Sequence, residues 1–201
     1  HSRRVRETVA AKAIAPLDQH ASVFMLSHPP DEYRWVGPVR DANRWERRLV
    51  KVRMDPVVDW TPVPVEWLPE TIKRPVSDFP QFWSGILCVS KPARAALEGY
   101  LRDAGEFLEL DGLDNNYVGF HCLHTLAALD QVETEAALKV RKGMAFASPT
   151  FVPTLRSEMI KDGDCFRIAE SFQKIFVSAR FKAVYDLAGL TGLQFLPVRL
   201  I

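Results

Sequence analysis

Ile86-Leu87-Cys88-Val89-Ser90-Lys91-Pro92-Ala93-Arg94-Ala95-Ala96-Leu97 carries the reading of the fold. Four apolar residues in a row make a short strand of the buried type. Ser90 then offers a side-chain oxygen to cap a helix, and Pro92 falls where a first turn tolerates it. Ala93, Ala96, Leu97, Tyr100 and Leu101 recur at helical spacing and form one apolar face. Phe107-Leu108-Glu109-Leu110 follows as a second strand, stopped by Asp111-Gly112. The stretch is a strand–cap–helix–strand unit.

The same pattern returns near the end of the chain. Ile175-Phe176-Val177-Ser178 gives strand and cap, Phe181, Val184, Tyr185 and Ala188 a helix face, Gly189 a stop, and Phe195-Leu196-Pro197-Val198 a closing strand. In one register Val89/Val177, Ser90/Ser178, Ala95/Ala183, Phe107/Phe195 and Leu108/Leu196 are identical. Duplication and convergence of two similar units both account for this.

Between the units, residues 117–126 alternate, with Val118, Phe120, Cys122 and Leu126 on one face, as in a half-buried strand. Residues 131–142 read as a surface helix, 151–156 and 159–168 as strands, and Asp162-Gly163 as a hairpin turn. Upstream, residues 22–54 mix strand-like runs with turn signals at His28-Pro29-Pro30-Asp31 and Gly37-Pro38. Residues 44–53 fit helix or strand equally. Residues 56–83 interleave Pro56, Pro62, Pro64, Pro69, Pro75 and Pro80 with Trp60, Trp67 and Trp83. Such proline density argues against a long helix or a central strand, and three tryptophans argue against a free linker. The segment is expected to lie as an extended strap over a domain surface. The expected class is α+β (mixed α/β): a strand-rich N-terminal part at 1–55, the strap at 56–83, and a core with two strand–helix–strand units at 84–201.

The 201 residues are 47% hydrophobic and 25% charged, which suits a globular chain and excludes disorder, collagen and coiled coil. No apolar run reaches the roughly 18–20 residues of a bilayer span. No apolar h-region follows the first arginines, so no secretory signal is read, and His1-Ser2 without a Met reads as a tag remnant or truncation scar. Cys88, Cys122 and Cys165 are an odd, widely spaced set, expected as reduced, buried thiols. Net charge is +1, yet residues 98–135 hold nine acids against Arg102 alone. A neutral chain with an acidic third is a poor nucleic-acid binder and a suitable partner for something basic. The one counter-signal is Arg40, Arg44, Arg47, Arg48, Lys51 and Arg53 with Trp35 and Trp45, which reads first as a solvated face and second as a stacking, phosphate-binding stripe.

Catalytic motifs are missing. There is no Walker A loop, no GxGxxG after a strand, no GxSxG elbow and no HExxH. His121-Cys122-Leu123-His124 places at most two ligands on one strand face, short of the three or four a zinc site needs, and reads as a core cysteine between half-exposed histidines. Neither Cys88 nor Cys165 has a histidine nearby to activate it.

Several of these stretches together resemble a known family. They are Arg74-Pro75-Val76-Ser77-Asp78-Phe79-Pro80, the 85–97 unit, Gly105-Glu106-Phe107-Leu108-Glu109-Leu110, Tyr117, Leu129-Asp130, Cys165-Phe166-Arg167-Ile168, Ile175-Phe176-Val177-Ser178 and the 188–195 segment. The chain resembles, over roughly residues 70–198, the eleventh of the numbered bacterial polymorphic-toxin immunity families. Thr134 stands where family members often carry Ser. The resemblance implies a small cytoplasmic protein, encoded beside a secreted toxin, that neutralises the toxin by binding it. It implies no cofactor, no metal and no catalytic residue. For a basic toxin such as a nuclease, Glu98, Asp103, Glu106, Glu109, Asp111 and Asp114 are the expected contact residues, and Trp60 and Trp67 the alternative face. The competing readings are an enzyme that reverses a toxin's modification and a nucleic-acid module using 40–53. Convergence of the cysteines with His121 or His124 in one pocket would favour the enzyme.

Overall fold

A computed structural model describes residues 22–39, 56–83, 85–140, 151–160 and 163–201. Its strands are β1 (Val23–Ser27), β2 (Val36–Pro38), β3 (Val63–Trp67), β4 (Ile86–Ser90), β5 (Gly105–Gly112), β6 (Tyr117–Cys122), β7 (Thr125–Leu126), β8 (Thr154–Leu155), β9 (Cys165–Ile168), β10 (Ser171–Ser178), β11 (Gln194–Pro197) and β12 (Arg199–Leu200). Among the described residues three α-helices join them: α1 (Lys91–Leu101), α2 (Gln131–Val140) and α3 (Ala179–Leu187). The α+β class is as expected. Residues 40–55, including the basic stripe from Arg40 to Arg53 and Trp45, lie outside the described residues, as do 141–142 of the predicted helix and Lys161-Asp162 of the predicted turn.

Both strand–cap–helix–strand units form, and each is split by a third strand. β6 runs antiparallel to β4 and to β5, so these two are parallel with β6 between them. β1 does the same for β10 and β11. The two five-stranded sheets have orders β2-β3-β5-β6-β4 and β11-β1-β10-β9-β7, and β12 pairs with β8 apart from them. The helix caps match as well. Ser90 Oγ accepts from Ala93 N at 3.2 Å and donates to Asp78 Oδ1 at 2.7 Å. Ser178 Oγ accepts from Phe181 N at 3.2 Å and donates to Asp164 Oδ1 at 2.5 Å. Gly189 ends α3 at φ +64, where only glycine is at ease. Ser178→Ala is expected to cost about 1 kcal/mol through the lost cap, read as a lower urea midpoint with unchanged slope.

Burial follows the period-two alternation of the strands. Leu87, Val89, Val118, Phe120 and Cys122 face a central core with Leu97 and Leu101 of α1, Phe181 and Tyr185 of α3, and Ile175 and Val177 of the other sheet. Ile86, Cys88, Leu108, Leu110, Val63 and Val65 face the opposite way, into a second core. Val23, Met25, Phe166, Ile168 and Phe176 fill a third with Leu155 and Ala128.

Four expectations change. Residues 56–83 are more than a surface strap, because Val63–Trp67 is an inner strand between β2 and β5 with Val63 and Val65 buried. Pro64 is tolerated there for a geometric reason. Its carbonyl accepts the Val39 N–H at 3.0 Å, so its missing donor faces the point where β2 runs out. Trp60, Trp67 and Trp83 do pack against the second core, as three tryptophans in this stretch required. Gly37-Pro38 is strand, since β2 pairs Gly37 with Glu66 and Pro38 with Val65.

Residues 117–126 are not one strand. Leu123 N and His124 N both donate to the Ala104 carbonyl, at 2.8 and 2.9 Å, which ends β6 and swings the chain into the other sheet as β7. Leu126 therefore packs in the third core, away from Val118 and Phe120. The stretch 151–168 is strand only at Thr154–Leu155 and Cys165–Ile168, with Ser157–Met159 a 3-10 turn.

Candidate functional site

Alternation along β5 divides the acidic segment. Leu108 and Leu110 point into the second core, and Glu106, on the same face, points inward with them. Its Oε1 lies 2.8 Å from His121 Nδ1, directly across the β5–β6 ladder, and accepts the Val57 N–H at 2.8 Å. His121 is fully buried, which corrects the half-exposed reading of that histidine. Glu106 is thus spent inside the protein.

Phe107, Glu109 and Asp111 occupy the other face of β5. Arg94 of α1 reaches over Phe107, its guanidinium 4.1 Å from the ring centroid, and beyond that point Glu109 and Asp111 are exposed. Asp114 is exposed in the β5–β6 connection at φ 55, a conformation that Asp tolerates better than most residues. Glu66 of β3 joins them from the neighbouring strand, since it alternates with the buried Val63 and Val65. Among the described residues Glu66, Glu109, Asp111 and Asp114 have no ion-pair partner. Glu98 sits on α1, paired with Arg102 one turn away, and Asp103 is exposed in the α1–β5 turn. Asp103 lines a cleft of about 490 Å³ with Arg102, His124, Asp164 and Cys165.

The tryptophans belong to the opposite face of the same sheet. The Trp60 indole N–H donates to the Glu109 carbonyl at 2.8 Å. Trp67 meets Tyr117 edge-on with centroids 5.5 Å apart, and Arg34 stands 5.9 Å from its ring centroid. Both rings are half-buried and already engaged.

Cys122 and Cys165 come together from β6 and β9, one from each sheet. The Cys165 thiol donates to that of Cys122 and holds it below its usual range, with the Arg167 charge adding to the effect. The same bond and burial push Cys165 up. Cys88 lies on the other face of β4, and burial raises its thiol far above the ordinary range. Cys122 and Cys165 are 0% and 2% exposed, and Cys165 lies in the wall of the cleft shared with Asp103 and His124. Cys165 and His124 share the cleft beside Asp103, with Cys122 against Cys165, while Cys88 and His121 are directed away, so the cysteines and histidines converge only in part.

A model of the Immunity protein family (Imm11) matches residues 55–199. The chain belongs to the Imm11 immunity protein family. No curated protein matches the chain in sequence. The Imm11 match takes in β3 through the end of β11 and stops short of β1 and β2, although β1 is an inner strand of one of the two sheets. Membership associates this Imm11 protein with immunity to a toxin. No helix among the described residues is long and apolar enough to cross a membrane.

Two features of the Imm11 surface escaped the sequence reading. Glu66 was hidden because its place on the same face as Asp111 depends on a parallel β3–β5 pairing between distant segments, which sets Pro64 opposite Asp111. His28, read only as part of a turn, has its Nε2 buried without a hydrogen-bond partner among the described residues.

Proposed function

We propose that this protein neutralises a cognate toxin domain by binding it directly and covering its active site. The observation that carries the reading is the acidic face of β5 and β3, where Glu66, Glu109, Asp111 and Asp114 stand exposed without an ion-pair partner among the described residues, in a chain of the Imm11 family. Inhibition by occlusion needs a complementary surface and steering charge, and it needs no reactive group. Unpaired carboxylates on one face attract a basic partner from beyond contact distance and raise its association rate. A nuclease, whose own substrate is polyanionic, is the partner chemistry that fits, and the cytoplasm, where nucleic acid is attacked, is the compartment in which such protection acts. The buried thiol pair gives little support to chemical reversal of the toxin's damage.

Glu109→Lys, Asp111→Lys and Asp114→Lys combined are expected to lower the association rate for the toxin domain about tenfold at low salt and to flatten its salt dependence. Stopped-flow mixing across a salt series reads both. An unchanged rate would move the interface elsewhere. Rescue of growth without any stable complex would mean that the protein acts on the toxin's product or target.

A further inference from the structure

A second surface feature lies on the other sheet, where β1 and β10 part. The ladder between β1 and β10 stops at Met25–Phe176, while β1 continues along β11 to Ser27–Gln194 and β10 continues back to Ser171. The sheet splays at this point, and β10 carries a register break between Ser171 and Ile175 on its β9 side as well. The opening is a cleft of about 800 Å³ between the splayed strands and the start of β4, with Trp35 and Trp83 in its walls.

The chemistry of the walls is one-sided. Charged groups there are already committed: Asp31 pairs with Arg74 at 2.8 Å, and Lys174 Nζ donates to the Phe151 carbonyl at 2.8 Å. Burial pushes the His28 imidazole down to about 4, so the ring is neutral near pH 7. What remains open is uncharged and hydrogen-bonding. His28 Nε2 is buried on the cleft wall with no partner among the described residues. Gln81, Gln173 and Gln194 line the cleft, are exposed, and make no side-chain hydrogen bond to the described residues. Each amide offers a donor and an acceptor, the complement of a peptide group. A buried nitrogen without a protein partner is free to form one hydrogen bond with a group that enters the cleft.

We infer that the cleft is a docking groove for an extended, uncharged segment of the toxin polypeptide, which lies along β10 at Gln173–Ile175, meets the three glutamine amides with its main chain and satisfies His28 Nε2. This is strand addition at a splayed sheet, with main-chain bonds giving affinity and the tryptophans giving side-chain pockets. It rests on the reading that the protein binds its toxin, and it places the tight contact on a different surface from the steering charges.

The test uses the full chain and the purified toxin domain. His28→Phe removes the orphaned nitrogen, so the free protein is expected to keep or raise its Tm while toxin binding weakens at least tenfold, mainly through faster dissociation. A purely structural histidine would move both in the same direction. Gln173→Glu with Gln194→Glu, on exposed positions that leave folding intact, is expected to give a similar loss by charging the groove. Amides of Gln173–Ile175 are expected to gain hydrogen-exchange protection in the complex. Variants that bind as the wild type does overturn the groove and leave toxin binding standing. Absence of any wild-type complex overturns both. If the wild type self-associates and the variants are monomers of unchanged toxin affinity, the groove belongs to a second copy and the inference falls.

Discussion

Asp78→Ala is expected to lower stability by about 3 kcal/mol, because one carboxylate fastens two distant parts of the chain. Its Oδ1 accepts from Ser90 Oγ at 2.7 Å, and its Oδ2 accepts from Thr191 N at 3.0 Å and Thr191 Oγ1 at 3.1 Å. Its own carbonyl accepts the Ser90 N–H at 2.8 Å. The α1 cap, the β4 edge and the loop after α3 therefore meet on a single side chain. Bonds to a charged acceptor are each worth about 1.5–3 kcal/mol, and they overlap here, so the sum is not additive. Removal leaves the Thr191 N–H and the Ser90 hydroxyl without their acceptor. Asp164 plays the matching role for Ser178 but ties only its own neighbourhood, with Arg180 as an exposed second partner. Asp164→Ala is accordingly expected to cost about half as much. Urea unfolding of the two variants side by side checks the order. Equal losses would mean that the link from Asp78 to Thr191 contributes nothing.

Acid is expected to remove about 3 kcal/mol of stability through His28 alone. Burial lowers its folded pKa to about 4 from the ordinary 6.5. Between these values the unfolded chain takes up a proton that the folded chain refuses. Stability attributable to this residue is therefore constant above pH 6.5, falls as pH drops from 6.5 towards 4, and levels off below. Asp31 and Lys174 line the same cleft, and carboxylates elsewhere titrate at the lower end of the window. The readout is for that reason the difference between wild type and His28→Phe, followed by denaturant titration at each pH. The wild type should lose stability relative to the variant only within that window. A constant difference across it would show that the ring is solvated in the folded state.

The local half of this fold is legible in the letters. Strand, Ser cap and Pro92 of the first unit, and strand, Ser cap and Gly189 stop of the second, are set by neighbours within a few residues, and each stands where periodicity and capping put it. The strands inserted between β4 and β5, and between β10 and β11, are set by long-range pairing and leave no local mark. Pro64 inside β3 misled because a proline's effect depends on which edge of the strand lacks a neighbour. The break after Cys122 depended on the Ala104 carbonyl, which no pattern in 117–126 contains. For the acidic segment, more could have been read: simple alternation along 105–112 separates Glu106 from Glu109 and Asp111. The partner of Glu106 needed the register of the hairpin, which sets it opposite His121. The groove at His28 was beyond reach, since it exists only where two strands part.

The position of β1 governs the order of assembly on the ribosome. It precedes both of its partners, β10 and β11, with most of the other elements of the fold in between. Until they arrive, Val23 and Met25 have no core to enter, and once they arrive, one half of the molecule stays an open-edged sheet until the early strand slots between them. Closing so large a loop is slow, and unpaired edges in the interval are sticky towards other chains. Folding of this chain is therefore expected to be slower than that of a domain whose sheets pair only neighbouring segments.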